Sequence, residues 1–219
     1  MFKSSTLKFL KDIKKNNNRP WMEANRNAYL DAKEDFENFV LEIIEGLSKN
    51  DADIAKLQVK DCTFRLNRDV RFSKDKSPYK SNFGAVFAKG GKKSPFAGYY
   101  FQLDAEKSFL CGGSWMPEPQ QLKDMRQEID YNFEEFVKIV TNKKFISRFG
   151  GFEKDAAAVL IRPPKGYDHD NPAIEFIKRK SFVAIHYIDN ALLTGKQLVR
   201  QTINDFKILS PLISFLNRR

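Results

Sequence analysis

Cys62-Thr-Phe-Arg-Leu-Asn-Arg-Asp-Val-Arg-Phe-Ser73 is the stretch where the hydrophobic period of this chain changes from helical to two. Cys62, Phe64, Leu66, Val70 and Phe72 share one parity, and Thr63, Arg65, Asn67, Asp69, Arg71 and Ser73 share the other. Successive side chains of an extended chain point to opposite faces, so the pattern predicts a strand with one core face and one charged face. Further strands are predicted over Asn82–Ala88, Gly98–Asp104 and Ser108–Gly112, with Gly90-Gly91 and Asp104-Ala-Glu-Lys107 as turns. Strands that follow one another without helices between them predict an antiparallel sheet.

Upstream of the strands, Leu7, Leu10 and Ile13 stand at helical spacing between Ser5 and Lys15, and the polar Asn16-Asn-Asn18 stops that helix. A second helix takes Asn18 as its N-cap and Pro20 in its first turn. It carries Tyr29, Phe36, Val40, Ile43 and Ile44 in a stripe reaching Leu47. Trp21 reads as a core anchor. Downstream, Leu122, Met125 and Ile129 follow Pro117-Glu-Pro119 at helical spacing, and Phe133, Phe136, Val137 and Val140 form a second piece. A short strand over Ala157–Ile161, a short helix over Ile174–Lys180 and a strand over Phe182–Ile188 come next. The last helix is predicted to open at Thr194, whose Thr194-x-x-Gln197 spacing matches a capping box. It shows Leu198, Thr202, Phe206 and Leu209 on one face until Pro211 interrupts it. The fold class is therefore α+β, a central antiparallel sheet packed by N-terminal and C-terminal helices. One domain over residues 1–219 is expected, since no repeat, low-complexity tract or long linker marks a boundary.

The chain carries a formal net charge of +10, and residues 60–112 alone hold eleven Lys/Arg against five Asp/Glu. That concentration suits a positive surface facing phosphates, carboxylates or a polyanion. No window approaches the ~18 apolar residues of a membrane span, and the first residues lack a secretory signal, so a cytoplasmic protein with no membrane partner is expected. Cys62 and Cys111, without CxxC spacing, read as reduced core thiols.

The densest charge lies in Arg68-Asp-Val-Arg-Phe-Ser-Lys-Asp-Lys-Ser-Pro-Tyr-Lys80, which holds five cations and two acids. Guanidinium forks suit bidentate binding of phosphate or carboxylate, and lysines add mobile point charge. Asp69 is placed to orient an arginine. Arg68 breaks the apolar parity, so it sits at a strand interruption or takes a carboxylate or carbonyl partner. The run is thus either an anion site or an internal arginine–aspartate network, with Lys74 to Lys80 in a loop beyond the strand. Asp69 and Asp75, flanked by cations, are expected to be ionised and weakly basic.

Sharper motifs do not fit. Ser73-x-x-Lys76 and Ser77-x-x-Lys80 have the spacing of a serine nucleophile with a lysine base, but the companion elements are missing and Pro78 breaks the second copy. Gly90-Gly-Lys-Lys-Ser94 lacks the first glycine of a phosphate loop and reads as a hairpin turn. His186 in an alternating strand reads as a satisfied histidine. Asp168-His-Asp170 points three ways at once, so no metal is expected, and no cofactor. Gly112-Gly113-Ser114-Trp115 reads as a tight turn or as backbone amides facing an anion. Arg162, Lys165, Gly166 and Tyr167 in the loop 162–172 add a candidate wall of a basic cleft.

Five blocks resemble a known family: Arg65-x-x-Arg68-Asp-Val-Arg-Phe-Ser-Lys-Asp-Lys-Ser-Pro-Tyr-Lys80, Ala97-Gly-Tyr-Tyr100, Cys111-Gly-Gly-Ser-Trp-x-Pro117, Pro164-Lys-Gly-Tyr-Asp168 and Lys180-Ser-Phe182. The chain is similar, over nearly its whole length, to the conserved uncharacterised proteins grouped as domain of unknown function 2461. The resemblance implies one domain shared as a unit and assigns no reaction, so enzymatic activity stays open.

The residues themselves point to a pocket for an anionic small molecule, phosphorylated ligands included, lined by Arg65, Arg71, Lys74, Lys76, Tyr79, Lys80 and Lys165. The alternatives are nucleic-acid binding, with Tyr99 or Tyr100 stacking bases beside basic loops, and a structural or interaction protein whose charges pair internally.

Overall fold

A computed structural model describes residues 1–218. Among the described residues the elements are α1 (Ser4–Lys15), α2 (Arg19–Ala24), α3 (Arg26–Ser48), α4 (Val59–Cys62), β1 (Asn82–Phe87), β2 (Gly98–Asp104), β3 (Phe109–Ser114), α5 (Pro119–Tyr131), α6 (Phe133–Val140), α7 (Lys143–Phe149), α8 (Ile174–Ile177), β4 (Phe182–Tyr187), α9 (Asn190–Leu193) and α10 (Leu198–Leu216). The strands form one antiparallel sheet in the order β1-β2-β3-β4. The α+β expectation is met, with helices from both ends of the chain packing the sheet. The chain forms two compact units. The first holds Met1–Ser94, Tyr100–Leu110 and Tyr187–Ile203; the second holds Pro95–Tyr99, Cys111–His186 and the chain from Asn204 onward.

In the first unit, α1 buries Thr6, Phe9, Leu10 and Ile13, the three-and-four spacing of a single inward stripe. Phe9 takes the place expected of Leu7, which is half-buried. The Asp35 carboxylate of α3 caps the start of α1, accepting the Lys3 backbone N–H at 2.9 Å and the Thr6 hydroxyl at 2.5 Å. A lysine at the N-cap position has no acceptor of its own, so the cap comes from a distant residue.

The expected second helix is two helices. Asn18 does cap the first, accepting the Trp21 N–H at 2.9 Å, but the chain turns at Asn25 before α3 begins. Phe36, Val40, Ile43, Ile44 and Leu47 are buried as expected, joined by Ala32 and Phe39. Trp21 is half-buried rather than a core residue, its ring centroid 6.0 Å from that of Phe9. Phe36 stacks on Phe83 of β1 at 5.3 Å, and Phe39 meets Phe101 of β2 at 4.5 Å. Each buried phenylalanine contributes roughly 1.5–3 kcal/mol, so this layer fixes α3 against the sheet.

The strand expected from Cys62 to Ser73 does not form. Cys62 closes α4, and Thr63 and Asn67 make only isolated antiparallel bridges, to Ala85 and Tyr79. Of the apolar parity, only Cys62 and Leu66 are buried, and Phe72 is 96% exposed. The cause is local: Asp69 and Asp75 accept the backbone N–H groups of Arg71 and Ser77, and Lys76 donates to the Val70 carbonyl, side-chain partners that compete with a strand ladder. Strand β3 begins at Phe109 rather than Ser108, because the Ser108 hydroxyl is engaged in the preceding turn, accepting from Asp104 N–H at 2.9 Å and donating to the Asp104 carbonyl at 2.7 Å.

In the second unit, Phe136 of α6 lies 5.1 Å from Phe176, 5.2 Å from Phe215 and 6.5 Å from Phe182, ring centre to ring centre. Helix α7, which the hydrophobic pattern does not announce, starts where the Asn142 side chain accepts the Lys144 N–H at 2.9 Å. The strand expected over Ala157–Ile161 is a single 3-10 turn, Ala156–Ala158, followed by one bridge from Val159 to Arg179. Asp155 accepts the Ala157 N–H at 2.9 Å and closes that turn. Gly113 has φ +130°, and a Cβ there would stand 1.8 Å from the Phe182 carbonyl oxygen. Glycine at this position lets β3 and β4 approach, so it serves strand packing rather than a turn.

Helix α10 corrects two further expectations. Thr194 is the C-cap of α9, so α10 opens at Leu198, and it runs on through Pro211 to Leu216. An interior proline costs about 3 kcal/mol. Leu212, Ile213, Phe215 and Leu216 beyond it are all buried, and at roughly 1.5–3 kcal/mol each their burial outweighs that cost. Leu198, Thr202, Phe206 and Leu209 are buried together as expected.

Candidate anion site

The basic run forms a closed loop in the first unit. Its two ends pair as a short ladder, Lys80 N–H to the Leu66 carbonyl at 2.8 Å and Arg68 N–H to the Pro78 carbonyl at 2.9 Å. Asn17, between α1 and α2, clamps the outer side of that ladder: its amide accepts the Tyr79 N–H at 3.0 Å and donates to the Tyr79 carbonyl at 2.9 Å. A side chain thereby occupies the place of a third strand. Tyr79 contributes its backbone to this frame and is half-buried.

Inside the ladder the loop folds on its own charges. Asp69 accepts the Arg71 Nε at 3.0 Å and Nη2 at 2.6 Å, with the Arg71 backbone N–H at 3.2 Å. Asp69 thus orients an arginine, as the sequence suggests. Asp75 accepts the Ser77 N–H at 2.9 Å and hydroxyl at 2.6 Å. Arg68 pairs with the Asp75 carboxylate and also donates to Ser77 Oγ at 3.0 Å. Lys76 donates to the Val70 carbonyl at 2.9 Å. The Ser77 hydrogen bonds, and then Arg68, push Asp75 down to about 2; the hydrogen bonds from Arg71 likewise lower Asp69. Neither carboxylate is a base at neutral pH.

Three loop cations stand outside this pairing. Arg65 and Lys74 are exposed and Lys80 is half-buried, and among the described residues none of them forms an ion pair with a carboxylate. Burial, and then the charge of Arg65, lower the pKa of Lys80. Its ammonium lies 5.4 Å from the centre of the Phe64 ring. Phe72, next to Arg71 and facing solvent, is the aromatic of this loop that parity reasoning places in the core. Lys165 belongs to the second unit, in the loop 162–172, and is exposed.

The other candidates take structural or inert roles. Lys92 of the Gly90–Ser94 turn donates to the carbonyls of Lys60 and Thr63 at 2.5 and 2.7 Å, closing the end of α4. Burial pushes the free thiols of Cys62 and Cys111 up to about 12, so neither is a thiolate nucleophile. His186 Nδ1 lies 3.1 Å from the Arg148 carbonyl, and burial followed by the Arg148 charge lowers its pKa. A groove of about 580 Å³ in the second unit, lined by Lys138, Lys144 and Lys207 among others, contains none of the residues expected to bind an anion. Among the described residues no helix is long and apolar enough to cross a membrane.

The architecture is that of a mixed α+β protein whose longest cationic segment is a self-buttressed loop. The chain belongs to the family described as conserved hypothetical protein, domain of unknown function 2461, whose model matches residues 5–215 and so covers both units. No curated protein and no solved structure matches the chain.

Proposed function

We propose that the chain binds an anionic ligand, a phosphorylated one in the first place, at the loop 65–80, with Arg65, Lys74 and Lys80 as the primary contacts. The observation that carries this reading is Lys80: a half-buried ammonium whose charge is disfavoured by burial and by Arg65, with no carboxylate among the described residues paired to it. An anion seated between Arg65 and Lys80 removes that repulsion, which makes the pair a better receptor than the already neutralised Arg68 and Arg71. The internal network then acts as the frame: Asp69 and Asp75 hold the loop in shape through Arg71 and Arg68, while Lys76 is tied to the Val70 carbonyl. Lys165, in the loop 162–172 of the second unit, is not one of these contacts.

Thermal shift with inorganic phosphate, pyrophosphate and a panel of phosphorylated metabolites tests the reading. Ligand stabilisation is expected for the parent chain, lost in Arg65→Ala and Lys80→Ala and retained in Arg71→Ala. Equal responses from all four proteins place the anion elsewhere.

A further inference from the structure

The outward face of the sheet in the first unit carries a row of aromatic rings. Phe64 lies 6.4 Å from Tyr100 of β2, Tyr100 lies 5.7 Å from Phe109 of β3, and Phe109 lies 6.0 Å from Tyr187 of β4, ring centre to ring centre. Alternation fixes this face: Tyr99, Phe101 and Leu103 are buried on the opposite side, while Tyr100 and Gln102 are half-buried. The opposite side already supplies the core, so the sheet does not need the outer row to hold together. Phe64 is 38% exposed and Tyr187 51% exposed, at the two ends of the row. Gly84 of β1 leaves the space that Tyr100 occupies, since a Cβ there would meet the Tyr100 hydroxyl at 2.5 Å.

A lysine stands over each end of the row. Lys80 lies 5.4 Å from the Phe64 ring centre and Lys107 lies 4.6 Å from that of Tyr187. The acids near this edge are engaged: Asp104 accepts the Glu106 and Lys107 backbone N–H groups at 2.8 and 3.2 Å, and Glu106 pairs with Lys14. Gln102 accepts the Tyr100 hydroxyl at 3.1 Å, which places an amide on the same face within reach of base edges. Flat rings flanked by cations are the combination that binds unpaired bases by stacking and their phosphates by charge. A duplex keeps its base faces stacked inside and offers nothing to such a row.

We infer that this face binds single-stranded nucleic acid, with bases stacked on Phe64, Tyr100, Phe109 and Tyr187 and phosphates held by Arg65, Lys80 and Lys107. The inference rests on the anion reading at its Arg65–Lys80 end and extends it across the sheet to Lys107 and Tyr187, which that reading does not use.

Fluorescence anisotropy with labelled oligothymidylate and oligouridylate of roughly 12 nucleotides, within the site size of a single module, tests it against a duplex of equal length and inorganic polyphosphate. Single strands are expected to bind with a log–log salt slope near −2, that is three phosphate contacts at about −0.7 each. Tyr187→Ala weakens binding about 5- to 150-fold, Tyr187→Phe preserves it, and Lys107→Ala removes about 0.7 from the slope. Tyr187 is an exposed strand-end residue, and an unchanged circular dichroism melt confirms that its variants fold. Polyphosphate binding that equals single-strand binding, with Tyr187→Ala silent, overturns stacking and leaves the anion reading standing. Duplex binding as tight as single-strand binding also overturns it. Failure of both single strands and polyphosphate removes both readings.

Discussion

Two arginine–aspartate forks of nearly the same geometry occupy this molecule. In the loop of the first unit, Arg71 grips Asp69 through Nε at 3.0 Å and Nη2 at 2.6 Å. In the second unit, Arg148 of α7 grips Asp205 of α10 at 2.7 and 2.6 Å through the same two nitrogens. Their side chains differ in exposure: 76% and 48% for the first pair, 25% and 6% for the second. Water screens the first and can replace either partner, so the fork orders a loop and adds little to stability. The second has already taken Asp205 out of water, so losing its partner strands a buried charge. Hydrogen-bond geometry alone does not say which fork matters.

The largest expected effect breaks the buried fork. Arg148→Ala leaves Asp205 uncompensated and is expected to cost about 3–5 kcal/mol. At roughly 2–4 °C per kcal/mol for a chain of this size, calorimetry would show a midpoint lowered by about 6–20 °C. A fall under about 2 °C would mean that water reaches Asp205 and the two forks are alike.

A smaller effect sharpens the account of the loop. Asp75 is held down at about 2, below its ordinary 3.8, so its contribution is present above the ordinary value and is lost as pH falls through about 2. An NMR titration should place the Asp75 midpoint there, and Ser77→Ala should raise it, because the Ser77 hydroxyl hydrogen bond is the largest cause of the depression. An unmoved midpoint in Ser77→Ala would transfer the effect to the Ser77 backbone N–H, which that variant keeps, and to Arg68.

The smallest effect is the exposed fork itself. Arg71→Ala is expected to leave the thermal midpoint within error while loosening residues 69–71 in hydrogen exchange. A clear loss of stability would show that the loop fork is shielded from water in solution.

Much of the frame was legible from residue order. The strands at Asn82, Gly98 and Phe182, the helix opening at Asn18 and the buried stripe of Phe36, Val40 and Ile43 follow from periodicity and capping, which depend on neighbours within a few residues. The misreadings have both local and tertiary causes. From Cys62 to Ser73 alternation suggested a strand, but Asp69, Asp75 and Lys76 captured the backbone locally. At Pro211 a helix breaker was overridden by the burial of Leu212, Ile213, Phe215 and Leu216. At the candidate site the charge concentration was visible, yet Phe64 and Phe72 carried the wrong face assignment, because parity has no meaning once the chain leaves the strand.

The order of residues fixed the α+β class, the antiparallel sheet, the cationic loop and the family, since each is written in local spacing or in contiguous blocks. Burial and pairing came from the packed chain. The buried fork joins residues 57 positions apart and the rings of Phe109 and Tyr187 come from β3 and β4, so which fork is shielded and which rings line up depend on distant contacts, with water excluded at one fork and present at the other.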